Sequence, residues 1–477
     1  MGFKNNSSTS IKKNIILAIL AQGISLIVSF ILNLIVPKFI SQYQYSYWQS
    51  YILYVGYVGV IHFGLLDGIV LRYSQYDYNE IDKNRIRSQF QILFFLISIM
   101  AIFSIIGALI FLDGLNRLIA VFVAFGMILK NVFTYSSYSF QITNRINKYA
   151  GLLILQRLAY GIAVIVLLIC KVDRFEWYCL ADLFGDTMGI LFSFFFNRGM
   201  YFGKALAFKE SIKEWWVNVS SGCILLFSNW SALLLLGSAK MIIQWRWDEL
   251  IFGQISFSFS LSNLILTFIS AISIVLFPSL KRMEQDKLPQ LYKKIRNTVS
   301  PLLFFIMLFY FPGCWILKKF LPAYENSLTY LGILLPIVIY SSKVNLLTNN
   351  YLKAYRKEKN MLWVNIISIL IAVFLFTISA YLFNNLTAVL VCVVIAVMLN
   401  SILSEITVTK IIHIKFLKEF ILEAIVTILF ILIANYFELW IAFGLYIAVL
   451  IVYFLYERET LFAISIKVKN IFRRKKQ

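Results

Sequence analysis

Four ionisable side chains lie deep inside apolar stretches of this sequence: Lys130, Arg157, Asp182 and Asp186. A charged group at membrane depth is costly unless it is paired or hydrated, so each needs a physical reason for its place. At about 1.5 Å of rise per residue, Lys130 and Arg157 stand roughly 10 Å inside one end of the runs Leu118–Tyr138 and Tyr149–Cys170. Asp186 falls near the middle of Trp177–Phe196, and Asp182, four residues earlier, shares its helical face. Long cationic side chains span the remaining offset, which brings an Asp186–Arg157 pair within reach. Cations in such a place suit an anionic substrate group, and an aspartate suits holding them or carrying a proton. A purely structural ion pair between packed helices would use the same residue types.

Other chemistry is poorly supplied. The two histidines, His62 and His413, cannot by themselves form a metal site or a nucleophile–base pair, and His62 reads as a hydrogen-bonded packing residue. Cys170, Cys179, Cys223, Cys314 and Cys392 are odd in number and contain no C-x-x-C, as expected of packing residues. No G-x-x-x-x-G-K-[ST] loop is present to cradle a nucleotide, so no ATP hydrolysis, metal or cofactor is expected. Short loops also argue against an enzyme, because membrane-embedded glycan polymerases usually carry their chemistry on a long external loop.

Fourteen apolar runs, from Ile15–Val36 to Leu439–Tyr456, position these residues. A hydrocarbon core of roughly 30 Å needs about 20 helical residues, and most runs are that long. The chain has 477 residues, 60% hydrophobic and 14% charged, with a mean hydropathy of +0.80. That leaves no material for a soluble domain, and nothing alternates as barrel strands do. The fold class expected is an all-α polytopic membrane protein of about fourteen transmembrane helices.

A net charge of +21 would point to nucleic acid in a soluble protein, but here the placement of the cations reports orientation. With both termini and alternate loops in the cytoplasm, 33 of the 44 Lys and Arg face inward, 8 face outward, and Lys130, Arg157 and Lys343 lie within runs. Asp67, Lys343 and Glu405 fall about a turn from the cytoplasmic boundary, where snorkelling is expected. Lys240 and Arg246 flank the outer mouth, consistent with a solvated loop.

A shift of 205 residues lays the first six runs on the next six, with Ile69-Val70-Leu71 on Ile274-Val275-Leu276, Thr143-Asn144 on Thr348-Asn349 and Lys148 on Lys353. Six spans is an even number, so the halves form a parallel repeat about an axis along the membrane normal. Residues 1–198 then form a first six-helix lobe, 217–411 a second, and 412–477 two extra helices with a basic cytoplasmic tail. The linker 199–216 mixes Lys204, Lys209 and Lys213 with Phe202, Leu206, Phe208, Ile212, Trp215 and Trp216, the composition of an interfacial helix attracted to anionic lipid. Tail residues Arg473-Arg474-Lys475-Lys476 read alike. Gly64 and Gly68 offer close helix packing, and Pro312-Gly313 and Pro336 offer bends.

With this layout, Gly64-Leu65-Leu66-Asp67-Gly68-Ile69-Val70-Leu71-Arg72-Tyr73 closing run two, and Gln141, Arg145, Lys148 and Tyr149 between runs four and five, the chain resembles a known family along its whole length. It is similar to the polysaccharide flippases of the multidrug/oligosaccharidyl-lipid/polysaccharide exporter superfamily. Gly253-Gln254-Ile255-Ser256-Phe257-Ser258 resembles that family's Gly-x-Tyr-x-x-Ala, with Ile255 and Ser258 in place of its Tyr and Ala. The resemblance implies a bacterial cytoplasmic (inner) membrane and alternating access between two lobes. It further implies movement of undecaprenyl-pyrophosphate-linked O-antigen, lipopolysaccharide or capsule repeat units from the inner to the outer leaflet. Partners would be the lipid-linked oligosaccharide, membrane lipids, glycosyltransferases and a polysaccharide polymerase, with Lys130 and Arg157 binding substrate and Asp182 and Asp186 pairing or coupling to protons. A drug or cation antiporter of the same superfamily, whose cavity should favour carboxylates, and a membrane-embedded glycan polymerase are the alternatives.

Overall fold

Segments this apolar must satisfy their own backbone hydrogen bonds, and the computed structural model shows how: every regular element among the described residues, 20–281, 285–414 and 417–456, is a helix. Eleven helices are long and apolar enough to cross a membrane, rising to 14 when each of three broken pairs is taken as one span. The chain is therefore an all-α, multi-pass membrane protein. The N-terminal lysines and the basic tail lie outside the described residues.

The chain forms two compact units, residues 1–233 with 248–253, and residues 234–247 with 254–477. In the first, α1 is Leu20–Phe39, α2 Gln42–Val55, α3 Leu65–Tyr73, α4 Lys83–Phe111, α5 Gly114–Ile142, α6 Ile146–Ile169 and α7 Phe175–Phe196. Helix α8, Phe208–Arg246, begins within the segment 199–216, and with its bend of 55° between Phe208–Ser231 and Leu233–Arg246 it counts as one span, so the last part of that linker is the first turns of a spanning helix. Its first part belongs to unit one. Helix α9 is Glu249–Lys281.

The second span is broken, which its unbroken hydropathy conceals. Gln42–His62 and Leu65–Tyr73 meet at 56°, because Phe63 and Gly64 take left-handed φ values of 50° and 86°. The backbone groups released by the break find partners: Asn131 of α5 donates to the Val58 carbonyl at 3.0 Å, and the Gly64 N–H donates to His62 Nδ1 at 3.1 Å. His62 is thus a hydrogen-bonded packing residue, as its isolation implied. A side chain at Gly64 would be strained by φ and would collide with the backbone of Gly222 and Cys223, while one at Gly68 would overlap the Asn218 carbonyl. These glycines let α3 and α8 touch backbone to backbone. Arg72 ties the same two helices, its Nη1 donating to Glu214 Oε1 at 2.5 Å and to Asn218 Oδ1 at 2.6 Å.

Unit two contains α10 (Leu288–Met307), α11 (Tyr310–Phe320), α12 (Glu325–Leu334), α13 (Ile337–Lys343) and α14 (Asn349–Ala354). It ends with α15 (Glu358–Thr377), α16 (Leu386–Ile412), α17 (Leu417–Tyr436) and α18 (Leu439–Tyr456). A bend of 46° between Pro322–Leu334 and Ile337–Ala354 falls at Pro336, as its missing N–H requires. Pro312 lies inside α11, and the interruption comes earlier, at Leu308 and Phe309, where the carbonyl it cannot bond is located. The last two spans dock on this unit: Phe311, Phe430 and Tyr446 form one aromatic cluster, and Tyr446 donates to the Phe304 carbonyl at 2.9 Å.

Candidate functional site

Helices α6 and α7 form a tight antiparallel pair because Gly185 leaves no side chain between them; a Cβ there would meet the Gln156 carbonyl and Tyr160 at 2.9 Å. This approach sets Asp182 and Asp186, one turn apart, against three neighbouring helices. From α5, the Lys130 ammonium reaches 2.9 Å from Asp182 and 2.7 Å from Asp186. From α2, Tyr51 donates to Asp182 Oδ2 at 2.9 Å. Gln156 of α6 donates to Asp186 Oδ1 at 3.0 Å. Asp186 is 1% exposed, whereas the Lys130 side chain keeps 25% of its surface open.

Three of the four residues singled out in the sequence are therefore brought together, and the fourth is not. Arg157 is half-buried and makes no ion pair or hydrogen bond among the described residues. The Asp186–Arg157 pair does not form. Successive helical residues point about 100° apart, so turning Gln156 toward Asp186 turns Arg157 aside, and Lys130 takes the carboxylate instead. The arrangement holds one ammonium between two carboxylates, while Arg157 has no ion-pair partner among the described residues. Tyr51 and Gln156 carry no charge, and their part in the site had no signal in the sequence.

A second charged group, in unit two, escaped sequence reasoning. Arg296 of α10 lies 3.1 Å from Glu423 and 3.3 Å from Glu405, and Lys343 lies 2.6 Å from Glu423 and 3.1 Å from Glu405. Exposure of Arg296, Lys343, Glu405 and Glu423 is 2%, 1%, 0% and 2%, so none of them snorkels. Snorkelling needs a path to water, and here packed helices close it while supplying opposite charges. Asp67 is likewise buried, 4.0 Å from the His62 imidazole. Two cations against two carboxylates neutralise the cluster, and they fasten α17 to α10, α13 and α16. Lys240 also departs from expectation: it lies within α8, half-buried, its ammonium 5.5 Å from the centre of the Phe259 ring, and not in a solvated loop.

No protein-family model matches the chain, and no curated protein matches it by sequence. Solved structures do match by fold. The lipid II flippase MurJ, in an inward closed conformation, aligns with 94% of this chain and 100% of its own, at 13% identity and a TM-score of 0.66. An inward-facing multidrug resistance transporter of the MATE family in the MOP superfamily aligns with 83% of this chain and 94% of its own, at 12% identity and a TM-score of 0.62. A MOP-superfamily transporter from Pyrococcus furiosus, whose binding pocket is described as reversed in polarity, covers 84% of this chain and 96% of its own at 13% identity and a TM-score of 0.50. At these identities the likeness is one of fold. It spans 83% to 94% of this chain in the three matches.

Proposed function

We propose that this protein is a flippase that moves a lipid-linked anionic oligosaccharide from the inner to the outer leaflet of a bacterial cytoplasmic membrane by alternating access. The observation that carries this reading is Arg157, a half-buried guanidinium at membrane depth with no carboxylate partner among the described residues. An unpaired cation there is stabilised by a mobile anion, and a guanidinium matches a phosphate in bidentate fashion. Lys130 takes a different part from the one its charge implied. Held by Asp182 and Asp186, it is the fixed member of a set carrying one more carboxylate than cations. We assign that surplus carboxylate to a coupling proton or small cation. Support for a lipid-linked substrate also comes from the fold shared with a lipid II flippase. The two lobes of the alternating-access cycle are proposed as residues 1–198 and 217–411, following the sequence repeat.

Deleting the gene should cause pyrophosphate-linked repeat units to accumulate on the cytoplasmic leaflet while their synthesis continues. Normal surface polysaccharide with heightened sensitivity to cationic drugs would favour an antiporter, and repeat units stranded unpolymerised on the outer leaflet would favour a polymerase.

A further inference from the structure

Along one side of unit one, α4 and the first turns of α8 enclose a groove of about 690 Å³ with Phe63 at its wall. Its walls are Ile92, Phe95, Leu96 and Ile99 from α4, facing Leu206 and Ile212 from the other side. The two serines that line it are spent on backbone carbonyls: Ser88 donates to Arg85 at 2.7 Å, and Ser211 to Ala207 at 3.0 Å. Gln89 links α4 to α8 by donating to the Ser211 carbonyl at 3.2 Å. What remains is an apolar slot running along a spanning helix. Over the thirteen residues from Ser88 to Met100 it extends roughly 18 Å, a length suited to an acyl chain.

The rim beside the slot is strongly basic. The Arg87 guanidinium lies against Gly203, bringing it beside Lys204, and Lys209 and Lys213 follow on the exposed side of α8. None of these four forms an ion pair among the described residues. Glu214, the nearest partner by position, is occupied by Arg72, Tyr73 and Arg85, which leaves Glu210 as the carboxylate on that rim. Gln91, exposed at the edge of the slot and without a partner among the described residues, offers a donor.

We propose that this groove is a binding site for one anionic membrane phospholipid, its phosphate against Arg87, Lys204, Lys209 and Lys213 and one acyl chain in the slot. The occupant follows from the coincidence of an apolar slot along a spanning helix with a flanking rim that carries four cations against the one carboxylate of Glu210. The inference is independent of the flippase reading, since it needs only that the chain is embedded in a membrane.

Native mass spectrometry of the full-length protein, titrated with phosphatidylglycerol or phosphatidylcholine of identical chains, tests it. One phosphatidylglycerol should be retained preferentially, by roughly fivefold for each engaged cation. Lys204→Gln with Lys209→Gln and Lys213→Gln should erase most of the preference, and Ile92→Trp with Ile212→Trp should fill the slot and abolish retention of either lipid. Bromine-labelled phosphatidylglycerol should quench fluorescence in wild type more than in Trp215→Phe, a readout that needs no groove-filling variant to fold. Equal retention of the two lipids, or unchanged retention in a folded slot-filled variant, would overturn the proposal. So would occupation of the slot by a polyprenyl phosphate that excludes phosphatidylglycerol, which would make it a seat for a substrate tail.

Discussion

Lys130 and Arg157 carry the same charge at similar depth, yet among the described residues one meets two carboxylates and the other none. Their substitutions should therefore fail differently. Lys130→Ala leaves Asp182 and Asp186 facing each other in a buried site, and removing one partner of a buried ion pair typically costs about 3–5 kcal/mol. The variant should melt far below wild type in detergent, and adding Asp182→Asn with Asp186→Asn should restore most of the loss without restoring transport. A melting temperature unchanged by Lys130→Ala would show that the triad contributes little to folding. Depth in the sequence was enough to single out all four residues, because hydropathy makes a lone charge conspicuous. Partner choice was not legible: it depends on which way Gln156 turns and on how closely Gly185 lets α6 approach, and neither leaves a trace in hydropathy.

Among the elements, the broken second span and the docking of α17 were hidden for related reasons. Hydropathy reports transfer into an apolar medium, not chain direction, so the run through Phe63 and Gly64 looked continuous although both residues are left-handed. Pro336, which lacks a donor, announced its bend. By hydropathy Arg296 falls between apolar runs and Lys343 and Glu405 near the ends of theirs, so their convergence on Glu423 required the fold. That cluster makes α17 part of unit two. Glu423→Gln should leave Arg296 and Lys343 sharing Glu405 and cost about 3–5 kcal/mol. In a double-mutant cycle with Lys343→Met, melting experiments should give a coupling of about 1–3 kcal/mol. Additive effects would mean that the ion pair does not hold α17 in place.

For the molecule as a whole, span number and helical class could be read from the sequence because the bilayer imposes a length and forbids unsatisfied backbone. Orientation rests on the 33 to 8 division of cations. A cysteine introduced at Lys287, in a background without other cysteines, should resist an impermeant thiol reagent added outside intact cells and react after permeabilisation. Reaction in intact cells would invert the topology. The central claim is that Arg157 engages the phosphate of a lipid-linked glycan while the protein carries it between leaflets. It is tested most directly by reconstituting wild-type and Arg157→Ala protein in liposomes with a fluorescent undecaprenyl-pyrophosphate oligosaccharide and following its arrival in the opposite leaflet. Wild type should move the lipid, and Arg157→Ala, equally stable, should move it about ten- to a hundredfold more slowly, the worth of one or two charge-assisted hydrogen bonds. Transport at the wild-type rate by Arg157→Ala, or none by the wild type under an imposed ion gradient, would contradict the account.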